Sequence, residues 1–273
     1  MQQKRSRWVY IMLILMVLAL LGFSGLPLIS SIIEANQSGS QTQNQTVGIS
    51  PEQQTQLEAE ATGYQKVLER EPNNSNALRG LLEVRLKQKD IQGAIEPLEK
   101  LAQIHPEQRE YSILLAQAKQ QLQDYEGAAA AYRKILATYP GDIQALSGIV
   151  DLYLSQNQPQ RAIGLLQDTL EQAKQNGDKP SESIDVVSVQ LLLGEVYAQQ
   201  KRYDEAIASY DRALEANKED FRPILGKALV FQEQGKQDRA KPLFETAHSL
   251  APSQFKDQIG QLASEQSPAN SEQ

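Results

Sequence analysis

The feature that most constrains this chain is a 34-residue period. An alanine recurs at steps of 34, 34, 44 and 34 residues, and the longer step equals one period plus a ten-residue insertion. A large residue stands four positions after each alanine, and prolines follow the same period. Three markers with one period predict a stack of like units rather than one central core. The pairs are Ala94–Leu98, Ala128–Tyr132, Ala162–Leu166, Ala206–Tyr210 and Ala240–Phe244.

Each unit has the pattern of two α-helices joined by a short turn. In the fourth unit, apolar residues recur at helical spacing through 189–197 and again through 206–214, with a polar run between them. The repeated alanine is predicted to lie where the two helices cross, because a larger side chain there would cost about 1–3 kcal/mol. The proline near the end of most units stops the second helix. The chain is therefore predicted to be all-α.

The residues at fixed places in each unit match a known motif. The fifth unit has Ala, Phe, Ala, Phe, Ala and Pro at places 8, 11, 20, 24, 27 and 32, namely Ala228, Phe231, Ala240, Phe244, Ala247 and Pro252. On these residues the chain resembles the tetratricopeptide repeat (TPR) family. The resemblance implies a right-handed solenoid of helix-turn-helix units, here at 75–108, 109–142, 143–176, 187–220 and 221–254. Arg85 and Lys119 depart from the motif, because they stand where the family prefers Tyr.

The two ends of the stack need caps, because a terminal unit has no neighbour on one side. Residues 51–72 are predicted to form a capping half-repeat, and 253–264 a closing helix. The polar residues 265–273 are predicted to be a disordered tail. The insertion at 176–185 contains Gly177 and Pro180; it is interpreted as a longer loop or, alternatively, as an elbow that contacts a partner.

The N-terminus has the pattern of a membrane segment. Residues 1–7 are basic, and 8–33 contain no charged residue, so they are predicted to form a single transmembrane helix. Cleavage as a signal peptide is the alternative. Residues 34–50 are polar and predicted to be a flexible linker. Because the positive charges precede the apolar run, the N-terminus is expected in the cytoplasm and the repeats in a periplasm or lumen.

In repeats of this type the first helices line a concave groove that holds a peptide or a partner helix. The resemblance assigns to this groove Arg79, Glu83, Lys87, Ile113, Gln117, Gln121, Ser147, Asp151, Leu191, Glu195, Gln199, Arg222 and Leu229. The set has a mild acidic bias and lacks the Lys, Arg and Asn cluster by which some family members clamp a terminal carboxylate. A neutral or weakly basic extended peptide or helix is the expected partner. The residues expected to pack the repeats are Ala94, Ala128, Ala162, Ala206, Ala240, Tyr132, Tyr210 and Phe244.

Composition and motifs argue against several functions. The formal net charge of −7 and a pI near 5.1 disfavour a nucleic-acid binder. The chain has no Cys, and its two histidines, His105 and His248, have no ligand-like neighbours in the sequence. No phosphate-binding loop, nucleophile elbow or zinc-protease motif occurs. No catalytic residue, cofactor, metal or small-molecule substrate is therefore expected.

The sequence favours a membrane-tethered scaffold that assists the assembly or biogenesis of membrane protein complexes. The layout of the chain, and the stretch 76–108 in particular, resembles the SLOW GREEN-like TPR type of cyanobacteria and plastids. An accessory subunit of an export or envelope machinery has the same layout and is one alternative. A structural oligomerisation module is another, and an enzyme is the least favoured because no catalytic constellation is found.

Overall fold

The structure is a computed structural model that describes residues 50–176 and 184–264. The predicted membrane segment at 8–33, the linker before residue 50, most of the insertion and the tail after residue 264 lie outside these ranges. Within the ranges the chain is helical and has no β-strand. None of the helices described combines the length and apolar character that a bilayer crossing requires.

Twelve helices follow one another in the described ranges. They are α1 (Pro51–Arg70), α2 (Ser75–Lys87), α3 (Ile91–Ile104), α4 (Arg109–Gln121), α5 (Tyr125–Thr138), α6 (Ile143–Ser155), α7 (Pro159–Asn176), α8 (Val186–Gln199), α9 (Tyr203–Ala216), α10 (Phe221–Glu233), α11 (Gln237–Leu250) and α12 (Ser253–Ser264). The helices from α2 to α11 form five successive pairs, numbered here as repeats 1 to 5. A single helix precedes the pairs and another follows them.

Acidic or amide side chains fix the start of most first helices. Asp142, Asp185 and Asp220 precede α6, α8 and α10, and each side chain accepts a hydrogen bond from a backbone N–H of the first turn. Asn74 does the same for α2, whereas Gln108 before α4 makes no such bond. These caps satisfy N–H groups that have no partner inside the helix.

The turn inside each repeat has one residue in the left-handed region, always at place 15. The φ angles are 59° at Lys89, 62° at Gln123, 56° at Asn157, 57° at Lys201 and 74° at Gly235. The residue that follows donates its N–H to the carbonyl of place 11, which closes the first helix. The same geometry brings the side chains of places 11 and 16 to one side of the turn.

The crossing between the two helices of a repeat is built on alanine. All five repeated alanines, from Ala94 to Ala240, have no exposed surface, and the place-24 side chains of Tyr132, Tyr210 and Phe244 are 2–3% exposed. Consecutive helices pack on each other along the chain, and from α4 to α10 each first helix also contacts the first helix of the next repeat. The first helices therefore share one face of the stack.

Candidate partner-binding groove

The shared face of the first helices contains the residues assigned to the groove, and its exposure changes along the stack. In repeats 1 and 2 the polar groove residues are exposed, namely Arg79, Glu83, Lys87, Gln117 and Gln121. Ile113 in the same part of the groove is half-buried. In repeats 3 to 5 the polar ones are half-buried: Ser147, Asp151, Glu195, Gln199 and Arg222. The groove is thus an open polar surface at one end and a tighter, partly desolvated surface at the other.

Two of the assigned residues are not available to a partner. Leu191 is 7% exposed and Leu229 is 6% exposed, so both belong to the packing between the first helices. Place 5 is buried from repeat 4 onward, whereas place 9 is still half-buried in repeat 4, as Glu195, and becomes buried only in repeat 5. Apolar side chains at these places gain more from burial in the stack than from contact with water.

The two carboxyl groups at place 9 of repeats 3 and 4 have unusual electrostatics. Burial raises the pKa of Asp151 to about 6. Burial, followed by the charge of Asp151, raises the pKa of Glu195 to about 8, and Arg222 only partly opposes this shift. Desolvation disfavours the charged form of a carboxyl, and a second carboxylate nearby adds to that effect. Near neutral pH, Glu195 is therefore mainly protonated in the structure.

Arg222 reaches this part of the groove but already has a partner. Its guanidinium forms an ion pair with Asp220, with a distance of 2.6 Å from Nη2 to Oδ2, and its Nη1 lies 3.4 Å from Ser188 Oγ. The hydrogen bond to Asp220 is the main reason that the pKa of Arg222 is raised. Because Asp220 is its ion-pair partner, Arg222 offsets the effect of burial on the pKa of Glu195 only in part.

Tyrosine side chains from the second helices lie close to the same region because glycines on the first helices leave room for their rings. A Cβ added to Gly148 would meet the ring of Tyr132, and one added to Gly194 or Gly226 would meet the ring of Tyr210. Each ring is 2% exposed. The pKa of Tyr132 is raised to about 12 by burial and then by Asp151. Burial, followed by the charge of Glu195, raises the pKa of Tyr210 well above its usual value. The glycines therefore let each tyrosine ring lie close enough to the groove for a carboxyl charge to act on its pKa.

The same register explains a pairing that runs through the whole chain. Where place 24 is Tyr, place 6 of the next repeat is Gly, and where place 24 is Leu, that place is Leu. The pairs are Tyr64–Gly80, Leu98–Leu114, Tyr132–Gly148, Leu166–Leu192 and Tyr210–Gly226. Recurrence of glycine at the repeat period predicts close helix packing, and the contacts of Gly80, Gly148 and Gly226 with these tyrosines confirm it.

The departures from the motif at place 11 are accommodated by ion pairs. Lys119 Nζ lies 2.9 Å from Glu99 Oε1 and 3.6 Å from Asp124 Oδ2. Arg85 Nη1 lies 3.3 Å from Asp90 Oδ2 and 3.4 Å from Glu58 Oε2. Repeats 1 and 2 therefore pack with a cation at this place, and the acid at place 16 is its partner.

The repeat motif does not predict the left-handed residue at place 15. Two of the five residues at this place, Asn157 and Gly235, are of the types that tolerate a positive φ most readily. Alignment of the five repeats on their alanines brings this place into register. The preference for a positive φ is nevertheless hard to recognise there, because Lys89, Gln123 and Lys201 are not residue types that favour it.

No metal-binding cluster of His, Cys, Asp and Glu occurs in the described ranges. His105 lies at the end of α3, where its Nε2 is 2.8 Å from Ser75 Oγ. His248 lies in the last turn of α11, beside the pocket between α11 and α12. Neither histidine lies on the shared face of the first helices.

The fold and this face define an α-helical repeat protein, and comparison with known proteins identifies the repeat. Models described as Tetratricopeptide repeat match residues 61–109, 120–178 and 185–253, together well over half of the chain. The chain therefore belongs to the tetratricopeptide repeat family, as its sequence motif indicates. Proteins of this family bind peptides or other proteins and are in general interaction modules rather than enzymes.

Two curated relatives and one solved structure are similar to the chain. Cellulose synthase operon protein C of Pseudomonas fluorescens (strain SBW25) is 29% identical over 55% of this chain and 12% of that protein. The protein SLOW GREEN 1, chloroplastic, of Arabidopsis thaliana is 26% identical over 72% of this chain and 61% of that protein. The chain thus spans less than two thirds of either relative. The crystal structure of yeast Tom70 matches 85% of this chain and 44% of its own, with 16% identity and a TM-score of 0.53, which shows a shared fold.

Proposed function

We propose that this protein is a membrane-anchored scaffold that binds protein partners along the first-helix groove and assists the assembly or biogenesis of membrane protein complexes. The observation that carries the proposal is the continuous face of the first helices. It is exposed and polar in repeats 1 and 2, and it ends at half-buried carboxyl groups in repeats 3 and 4. A surface of this kind suits an extended peptide or a helix, which contacts several repeats at once.

The membrane part of the proposal is supported by the sequence. Residues 8–33 have the length and apolar character of a single transmembrane helix, and the basic residues before them favour a cytoplasmic N-terminus. The repeats then lie on the other side, in a periplasm or lumen. The likeness to the protein SLOW GREEN 1, chloroplastic, supports the resemblance to the SLOW GREEN-like type on which the assembly role is proposed. An anchor would confine the groove to the membrane surface and raise its effective concentration near membrane partners.

Site-specific photocrosslinking in the native membrane tests the groove. A photoreactive residue at Gln117, which is exposed on α4, should crosslink to partner proteins. The matched control is Lys134, which is exposed on the second helix of the same repeat and should crosslink much less. Equal crosslinking from both positions, or none from Gln117, would contradict the use of the groove.

The identity of the crosslinked proteins tests the role. Subunits and assembly intermediates of a membrane complex would support assembly, whereas components of a protein-export machinery would favour the alternative of an accessory subunit. Protease treatment of spheroplasts or sealed vesicles tests the orientation. Digestion of the repeats by protease added outside spheroplasts is expected, and protection there would reverse the proposed topology.

A further inference from the structure

Two arginines of successive repeats converge on one tyrosine hydroxyl. Arg133 stands on α5 and Arg161 in the first turn of α7, and both side chains are exposed. Arg133 Nη2 donates to Tyr153 Oη at 3.0 Å, and Arg161 Nη2 lies 3.5 Å from the same oxygen. The Arg161 guanidinium also lies over the Tyr153 ring, with its Cζ 4.4 Å from the centroid. Two like charges therefore lie close together at the junction of repeats 2 and 3.

The place that Arg133 holds is filled differently in the neighbouring repeats. In repeats 1 and 4, place 25 of the second helix is an acid: Glu99 pairs with Lys119 of the next first helix, and Asp211 pairs with Lys227. At those junctions a cation faces an anion. In repeat 2 the same place is Arg133, and the next repeat brings a second arginine to it instead of a carboxylate.

The surroundings of the two arginines contain no acidic residue that could balance them. The stretches 127–141 and 152–167 have no Asp or Glu, although the chain has 34 of them. Within the part of the chain that the structure describes, the two arginines contact Tyr153 and Gln158 and no carboxylate. Lys134 adds a third exposed cation. This surface is therefore positive in a protein whose formal net charge is −7.

The Tyr153 hydroxyl adds a third donor to the two guanidinium groups. Its oxygen accepts from both arginines, and its own proton has no acceptor among residues 50–176 and 184–264. Tyr153 is 5% exposed, so packing holds its ring in place. Largely buried polar side chains normally use their hydrogen-bonding capacity, so three donors that meet without a protein acceptor indicate a site for an anion.

We propose that Arg133, Arg161 and the Tyr153 hydroxyl bind a phosphate group, either free or on the head group of an anionic lipid. The charge of the phosphate offsets the two guanidinium groups, which match its geometry. Its tetrahedral oxygens can accept from donors that approach from different helices, whereas a carboxylate has only two oxygens in one plane. The arginines stand on second helices, so the site is separate from the groove of the proposed function.

The test titrates the full-length protein in uncharged detergent with inorganic phosphate or acetate at constant ionic strength. The ¹⁵N-labelled Nε–H groups of Arg133 and Arg161 report on the site directly by NMR. Both signals should shift and saturate, and phosphate should bind at least about threefold more tightly than acetate. Signals that do not respond to phosphate, or equal affinity for the two anions, would overturn the site, since charge alone does not distinguish them.

Substitutions locate the site. Arg133→Gln and Arg161→Gln should each weaken phosphate binding about fivefold or more, and both residues are exposed, so the fold should be retained. Tyr153→Phe keeps the ring under Arg161 and removes only the hydroxyl, so a loss of about two- to threefold is expected. Arg212→Gln is the matched control, because it removes an exposed arginine of α9 that shares no acceptor with another arginine in the described ranges. It should change binding less than about twofold, and a loss equal to that of Arg133→Gln would overturn the site.

Nanodiscs distinguish the two sources of phosphate. The full-length protein is placed in discs of phosphatidylcholine alone or with about one third phosphatidylglycerol, in phosphate-free buffer. Arginine signals that shift only in the anionic discs assign the site to a lipid head group, and signals that respond only to free phosphate assign it to the soluble anion. No response to either source overturns the proposal. The groove is tested separately by the crosslinks from Gln117, so the two proposals can fail independently.

Discussion

Repeats 1 and 2 differ from repeats 3 to 5 at the turn that joins their helices. In the first group, place 11 is a cation and place 16 is Asp, as in Lys119 and Asp124. In the second group, place 11 is aromatic and an Arg lies over its ring. The distances from the Arg Cζ to the ring centroid are 4.4 Å for Arg161–Tyr153, 4.5 Å for Arg202–Tyr197 and 3.9 Å for Arg239–Phe231.

This difference shows that the same backbone turn can be accompanied either by an ion pair or by an arginine that lies over an aromatic ring. In repeats 1, 2 and 4 the partner of place 11 stands at place 16, as Asp90, Asp124 or Arg202, whereas in repeats 3 and 5 the arginine over the ring, Arg161 or Arg239, stands at place 19. The Asp at place 16 also caps the second helix, since Asp90 and Asp124 accept a backbone N–H from α3 and α5. Arg202 and Lys236 at the same place make no side-chain cap bond. The second group thus gives up a cap and gains buried aromatic surface.

The groove follows the same division. Repeats 1 and 2 present exposed polar side chains, whereas repeats 3 and 4 present the half-buried carboxyl groups of Asp151 and Glu195. More apolar burial in the second group removes water from the groove floor, and this desolvation is the first cause of the raised pKa values of Asp151 and Glu195. The groove is therefore hydrated at the end formed by repeats 1 and 2 and partly desolvated at the end formed by repeats 3 and 4.

The largest effect is expected from replacing a Tyr–Gly pair between successive repeats, formed by place 24 and place 6 of the next repeat, with a Leu–Leu pair. Gly148→Leu places a side chain where the Tyr132 ring lies, and should lower the free energy of unfolding by about 3 kcal/mol. Adding Tyr132→Leu recreates the Leu98–Leu114 pairing and should recover most of the loss. Urea denaturation of the two single variants and the double variant measures the coupling. A single Gly148→Leu variant as stable as the parent would contradict the close packing of Gly148 against the Tyr132 ring.

The next prediction compares an aromatic residue at place 11 with a lysine at the same place. Tyr197→Ala removes a ring that is 6% exposed and also its hydrogen bond with Gln167, so a loss of about 3 kcal/mol is expected. Lys119→Ala removes ion pairs of a partly exposed lysine and should cost about 1 kcal/mol or less. Denaturation at low and high salt separates the two, because only the ion pairs are screened. Equal losses would mean that the two groups of repeats do not differ in this way.

The pH dependence of stability gives a smaller effect. The pKa of Glu195 is about 8 in the folded protein, against a usual value of 4.5, so the folded state retains a proton that the unfolded chain releases. The contribution of Glu195 is therefore fully present below about pH 4.5 and is lost as the pH rises through about 8. Glu195→Gln should stabilise the protein by about 1–3 kcal/mol at pH 9 and have little effect near pH 5.

Chemical denaturation at the two pH values provides the measurement. Glu83→Gln serves as the control, because its exposed carboxylate should give the same small change at both pH values. A Glu195→Gln variant that is no more stable than the parent at pH 9 would show that the groove floor is not desolvated as the structure indicates.

The smallest effect concerns the left-handed residues of the turns. Gln123 adopts a φ of 62°, where glycine has no steric penalty. Gln123→Gly should therefore stabilise the native protein by about 0.5–1 kcal/mol or leave it unchanged, after the extra flexibility of the unfolded chain is subtracted. Gly235→Ala is the reverse test, and it should destabilise by about 1 kcal/mol. Thermal denaturation of both variants detects these shifts.

Much of the fold could be predicted because its information is local. A helix pair needs only its own apolar spacing and its stop signals, and the 34-residue period repeats these five times. Ala128 and Ala206 could be read as crossing residues because each crossing lies within one unit. The exposure of the residue at place 9 could not be predicted in the same way, because Leu229 is buried and Glu83 is exposed although both stand at this place.

The repeat, its family and the face that the first helices share follow from the amino-acid order alone, because each depends on residues that are near each other in the chain. Three properties depend instead on how the helices pack in space: which residues on that face are covered, which ion pairs replace the aromatic residues, and where carboxyl groups lose water. Those properties depend on the distance and angle between helices from successive repeats. The desolvation of Glu195 in particular is a sum over side chains from several helices, and no single place in the motif encodes it.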